Sequence, residues 1–83
     1  MTMEIYPNPT TGLLNVDFSS QVGGQYQITV TDLSGRVIMV EDLKAVSGSN
    51  QHQVDLGFAN SGLYMIYLKN SNGEIAVQKI AVE

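Results

Sequence analysis

Apolar and polar residues alternate with period two in several short runs, and turn residues interrupt them about every ten positions, the pattern of an all-β sandwich or barrel. No stretch keeps a helical period. A short strand is predicted at Glu4 to Tyr6. In Leu14-Asn15-Val16-Asp17-Phe18 the three apolar residues share one face and the two polar residues the other, as a half-buried strand requires. Gln21 to Gly24 reads as a loop. From Gln25 to Thr31, Tyr26, Ile28 and Val30 point inward against an outward row of Gln and Thr. Asp32-Leu33-Ser34-Gly35 follows as a hairpin turn whose glycine suits the left-handed position beside a bulge. The next run, Val37 to Leu43, is apolar in both parities over Val37, Ile38, Met39 and Val40, which predicts burial on both sides or contact with a missing neighbour.

Gly48 to Gln51 reads as a polar turn, and His52, Val54 and Leu56 share the inward phase of the strand after it. Gly57 to Gly62 is a compact connection, bounded by glycines that discourage a helix. Leu63 to Leu68 is the most continuous apolar run and is predicted to be a central strand. Asn70-Ser71-Asn72-Gly73 is a strong hairpin signal, since Asn and Gly both accept positive φ cheaply. It sets Leu63 to Lys69 against Glu74 to Val82. In that last strand Ile75 and Val77 keep one parity and Ile80 and Val82 the other, so a bulge is expected near Gln78. These runs sum to a seven-stranded antiparallel β-sandwich, immunoglobulin-like with Greek-key connections, forming a single domain over residues 1–83. Met1-Thr2-Met3 reads as a start placed ahead of a natural segment.

Composition narrows the partners. A chain of 83 residues buries only roughly 60 to 65% of its unfolded surface, so stability is expected to be modest. With 43% hydrophobic and 14% charged residues it should fold without spanning a membrane. The net charge of −4 sets eight acids against Arg36, Lys44, Lys69 and Lys79. No basic track exists along the sequence for a phosphate backbone, so nucleic acid is not an expected partner, and the acidic balance argues against anionic lipid. Cysteine is absent, which removes disulfides and thiolate chemistry. No run approaches the ~18 apolar residues of a membrane span. The first residues lack the basic and apolar regions of a secretory signal, so an export signal would belong to a parent protein.

Enzymatic constellations fail on inventory. The one histidine, His52, lies on an apolar phase and reads as a core or rim residue. Asp17, Asp32, Asp42 and Asp55 are isolated acids, without the dense alternation of a calcium loop. No glycine-rich loop precedes a helix that could cradle phosphate. No catalytic residue, metal or cofactor is assigned, and the chain is not expected to be an enzyme.

Four short signatures remain: Pro7-Asn8-Pro9-Thr10-Thr11-Gly12, Asp32-Leu33-Ser34-Gly35-Arg36, Ser61-Gly62-Leu63-Tyr64 and Lys79-Ile80-Ala81-Val82. Pro7 and Pro9 lack amide donors, so the first must be a rigid turn rather than a central strand. Gly62 and Tyr64 suit a glycine that lets the chain enter a strand and a packed tyrosine whose hydroxyl seeks a partner. Together the signatures resemble the type A C-terminal sorting domain of the type IX secretion system of Bacteroidota, from about Ile5 to the last residue. The resemblance implies a secretion signal that directs a cargo across the outer membrane, through the periplasm to the cell surface or medium. It implies the secretion machinery, a surface sortase and an N-terminal cargo domain as partners. The candidate recognition residues are Pro7, Asn8, Pro9, Gly12, Asp32, Gly35, Arg36, Gly62, Tyr64, Lys79, Ile80 and Val82. The chain ends in Glu83 where many relatives end in a basic residue, so no terminal positive charge is carried over. The last strand and the adjoining Gly62-x-Tyr64 strand are expected to form the recognition surface, with self-association through the doubly apolar strands as a further expectation. An alternative is a small carbohydrate-binding or adhesive module, which would bind through exposed aromatic platforms. A domain that merely stabilises its parent is a third reading.

Overall fold

A computed structural model describes every residue from Met1 to Glu83. Seven strands follow in order: β1 (Thr2–Tyr6), β2 (Leu13–Ser20), β3 (Gly24–Asp32), β4 (Val37–Ala45), β5 (Gly48–Asp55), β6 (Gly62–Lys69) and β7 (Ile75–Val82). They pair antiparallel into a three-stranded sheet, β1-β2-β5, and a four-stranded sheet, β4-β3-β6-β7. The chain passes between sheets after β2, β4 and β5. Relative to the constant-type immunoglobulin arrangement, the fourth strand has joined the sheet of the third, sixth and seventh. The inward halves of the alternating runs meet between the sheets. Leu14, Val16, Phe18 and Val54 from one side pack with Tyr26, Ile28, Val30, Ile66, Leu68 and Ile80 from the other in a cluster of 15 buried residues. Phe18 and Tyr26 face each other across it with ring centroids 5.3 Å apart, within the range of favourable tilted aromatic pairs.

The hairpins β3–β4 and β6–β7 are built to one plan. Asp32 Oδ1 accepts the amides of Ser34 and Arg36 at 3.0 Å, and Asn70 Oδ1 accepts those of Asn72 and Glu74 at 3.0 and 2.9 Å. In each turn the glycine amide then bonds back to the carbonyl of that Asp or Asn. Gly35 and Gly73 sit at φ of 92° and 85°, where a Cβ would be strained. An Asx side chain thus templates each turn, and the sequence placed both correctly.

Four expectations are corrected. Gly48 to Gln51 is not a turn: it opens β5, with Gly48 opposite Ser20 and Gln51 opposite Asp17, and the chain turns instead at Val46 and Ser47. Asn50 explains the shift, because its side-chain amide bonds both the nitrogen and the carbonyl of Val46 and so closes the turn from inside the strand. No bulge occurs near Gln78, since β6 and β7 pair without interruption from Gly62–Val82 to Lys69–Ile75. Ile75 and Val77 are simply exposed on the outer face. The bulge lies in β4: Val30 pairs Met39 and Thr31 pairs Val37, leaving Ile38 without a partner. It accounts for the doubly apolar run, turning Ile38 and Met39 to the half-buried side while Val37 and Val40 stay exposed. β4 is therefore an edge strand, not one buried on both sides. The first strand also starts earlier than expected, at Thr2, and Met3 packs partly buried against the core.

Candidate recognition site

Pro7 to Gly12 leaves β1 and lies along the outer edge of β7. Thr10 donates its amide to the Ala81 carbonyl at 2.9 Å and accepts from the Glu83 amide at 2.8 Å, a parallel bridge opposite Val82. The Asn8 side chain extends that ladder: Oδ1 accepts the Ala81 amide at 3.0 Å and Nδ2 donates to the Lys79 carbonyl at 3.2 Å. Pro7 and Pro9, having no amide to offer, could not continue it by themselves. The Thr10 hydroxyl, almost wholly buried, donates to the Leu13 carbonyl and accepts from the Gly12 amide. This fixes the bend into β2. Gly12 packs so closely that a Cβ would stand 3.0 Å from Gly57 Cα, and its carbonyl takes the Leu56 amide at 2.8 Å. Just before the strap, Tyr6 donates its hydroxyl to Asp17 at 2.8 Å. That bond to a carboxylate holds the Tyr6 pKa above the usual phenol value.

The other signatures lie beside it. Tyr64 pairs with Ile80 of β7 on one side and Asp32 of β3 on the other, while Gly62 stands opposite Val82. Tyr64 packs inward, and its hydroxyl donates to the Asn60 carbonyl four residues upstream, the closure known as a tyrosine corner. Arg36 reaches back to Asp32, Nε to Oδ2 at 3.2 Å, with the Arg36 side chain 77% exposed. The Ser34 hydroxyl, then the Arg36 and Ser34 amides and the guanidinium charge, hold the Asp32 carboxyl below its ordinary pKa. Asp32, Arg36 and Tyr64 border a shallow cavity of about 210 Å³ with Ile38, Phe58 and Asn60.

Signatures as distant in sequence as Asn8 and Lys79 are thus assembled at one end of the four-stranded sheet. Asp32, Gly35, Arg36, Gly62, Tyr64, Ile80 and Val82 fall there, Asn8 lies along β7 toward Lys79, and Gly12 packs against Gly57 at the entry to β2. Most of their contacts hold the fold: Asp32 and Gly35 make a turn, Gly62 and Tyr64 start a strand, Asn8 and Gly12 seat the strap, and Ile80 and Val82 fill the core. Pro7, Asn8, Pro9, Gly35, Arg36, Gly62 and Lys79 are the exposed members. The reading from sequence missed Thr10, whose role appears only when its backbone closes onto Ala81 and Glu83 near the far end of the chain. It also missed a second strand-opening tyrosine, Tyr26, whose hydroxyl donates to the Val22 carbonyl four residues upstream. The signal was available, because Gly24-Gln25-Tyr26 repeats the spacing of Gly62-Leu63-Tyr64. His52 is a rim residue, 2.7 Å from Glu41 Oε1 across the open side between β5 and β4.

A family model for the secretion system C-terminal sorting domain matches residues 4–83. No curated protein matches the chain.

Proposed function

Since this chain belongs to the type IX secretion C-terminal sorting domain family, we propose that it is read, as a folded body, at the strap end of its four-stranded sheet. As a sorting signal it directs transit through the secretion system toward the cell surface or medium. In the finer reading, a cargo attached at its N-terminal side crosses the outer membrane, after which a surface sortase removes the domain. The domain itself performs no chemistry and needs no cofactor.

The observation that carries this reading is the convergence of Pro7–Gly12, Asp32–Arg36, Gly62–Tyr64 and Lys79–Val82 on one end of one sheet. A rigid site of that kind meets a partner without the ordering cost of a disordered tag. Fusing residues 1–83 to a reporter that is delivered to the periplasm tests it. In cells with a working type IX system the reporter is expected at the surface or in the medium, shortened by about the mass of the domain. Retention in the periplasm, or equal export of the reporter without the domain, overturns the proposal.

A further inference from the structure

The two outer faces of the sandwich differ in kind. On the three-stranded sheet the exposed rows are polar, running Glu4–Asp17–Gln51 and Tyr6–Asn15–Gln53 across the strands. That face carries three acids, Glu4, Asp17 and Asp55, and no base. On the four-stranded sheet one row runs Val40–Thr29–Tyr67–Val77, and the rows beside it add Met65 and Ile75. Val40, Val77 and Ile75 are 52%, 48% and 56% exposed, an apolar stripe carried by β4, β6 and β7 and bridged at β3 by Thr29. Three of the four cations of the chain, Lys44, Lys69 and Lys79, stand on this face, and none of them pairs with a carboxylate. Its one acid, Asp42, is bonded to Gln27 at 3.2 Å. A net charge of −4 therefore conceals a separation: acid on one face, lysine and apolar surface on the other.

Resting on the sorting-signal reading, we propose that the outer face of β4-β3-β6-β7 is the docking surface, and that its occupant is a protein surface with an apolar centre flanked by carboxylates. Charge complementarity selects that chemistry, because three unpaired lysines around an apolar stripe favour carboxylates at the rim and exclude other bases. A second copy is a poor occupant. Two such faces would oppose lysine to lysine, and the acidic face offers charge but no apolar row to cover the stripe. The surface is continuous with the strap end, since Lys79 belongs to both.

The test uses the reporter fusion with changes at exposed positions, where folding is little affected. Val77→Glu and the pair Lys69→Glu, Lys79→Glu are expected to lower exported reporter on the order of tenfold, with the melting temperature unchanged. Val77→Gln supplies a milder second variant should Val77→Glu fail to fold. Matching changes on the opposite face, Gln51→Glu and Gln53→Lys, are expected to leave export intact. Wild-type export of the Val77 and lysine variants, or loss confined to the Gln51 and Gln53 variants, overturns the docking face while leaving the sorting signal standing. Undiminished export after removal of the whole domain instead defeats the sorting reading and this inference with it. A monomer is expected in sedimentation equilibrium. A dimer dissolved by Val77→Glu would assign the face to self-association, and lysine-dependent binding to phosphatidylglycerol vesicles would assign it to lipid; either overturns the protein partner.

Discussion

The hydroxyls of Tyr26 and Tyr64 show how a single atom can fix where a strand begins. Each phenol reaches back four residues to donate to a backbone carbonyl of the preceding loop. Tyr64→Phe keeps the ring and removes that bond, so it should lower unfolding free energy by about 1 kcal/mol in urea denaturation while leaving export unchanged. Export lost at intact stability would transfer the hydroxyl from the fold to a partner. Asp32 supports a test of charge, because Asn70 performs the same turn chemistry without one. Asp32→Asn should preserve the hairpin. The folded carboxyl lies below its unfolded value of 3.8, so its contribution is present above that value and disappears as pH falls through the folded pKa. Thermal midpoints of the two proteins should therefore converge below about pH 4, with wild type the more stable above it. These residues were legible in the sequence because turn and corner chemistry is local, set within four or five positions. Gly24-Gln25-Tyr26 is the less legible of the two, because the preceding Gly23 extends a loop pattern into it.

Edges decide the behaviour of the strands. β7 would present a free ladder to solvent, and an open edge invites pairing with another chain. The strap covers it through Thr10 and Asn8. On the opposite side β4 and β5 guard their edges with Glu41 and His52, polar groups turned inward from edge positions and bonded to each other. Asn8→Ala removes two bonds to β7 and should cost about 1 kcal/mol. Amide exchange at Ala81 should accelerate, while exchange at Ile66 in the sheet interior should still report global unfolding. Equal acceleration at both amides would mean that the strap closes the whole domain rather than its edge. Little of this could be read from alternation. Period two gives the face of a residue but not its neighbour, so the shared edge of Asn8 and Lys79 was invisible. The same limit produced the misplaced bulge: Ile75 and Val77 broke parity because apolar residues stand on an exposed face, whereas Ile38, within a run apolar throughout, left no break to see.

At the scale of the molecule, one core of 15 buried residues joins both sheets. The alternating runs made that core legible from the outset. The separation of charge was not, because Lys44, Lys69 and Lys79 look scattered until pairing sets them on one face. A domain of this length has a total stability at the low end of the roughly 5 to 15 kcal/mol usual for folded proteins. Ile66 is fully buried at the centre of the larger sheet, and Ile66→Ala should cost roughly 2 to 5 kcal/mol, enough to unfold a substantial fraction of the chain. None of the recognition signatures is altered by that change. If the secretion machinery reads short linear motifs, export of an Ile66→Ala fusion should match wild type. If it reads the sheet end that the fold assembles, export should fall with the folded fraction measured by circular dichroism. It should then recover as the growth temperature is lowered toward the stability maximum, typically near 10 to 20 °C. The structure favours the second outcome, because Asn8, Asp32, Tyr64 and Lys79 become neighbours only after β3, β6, β7 and the strap have paired.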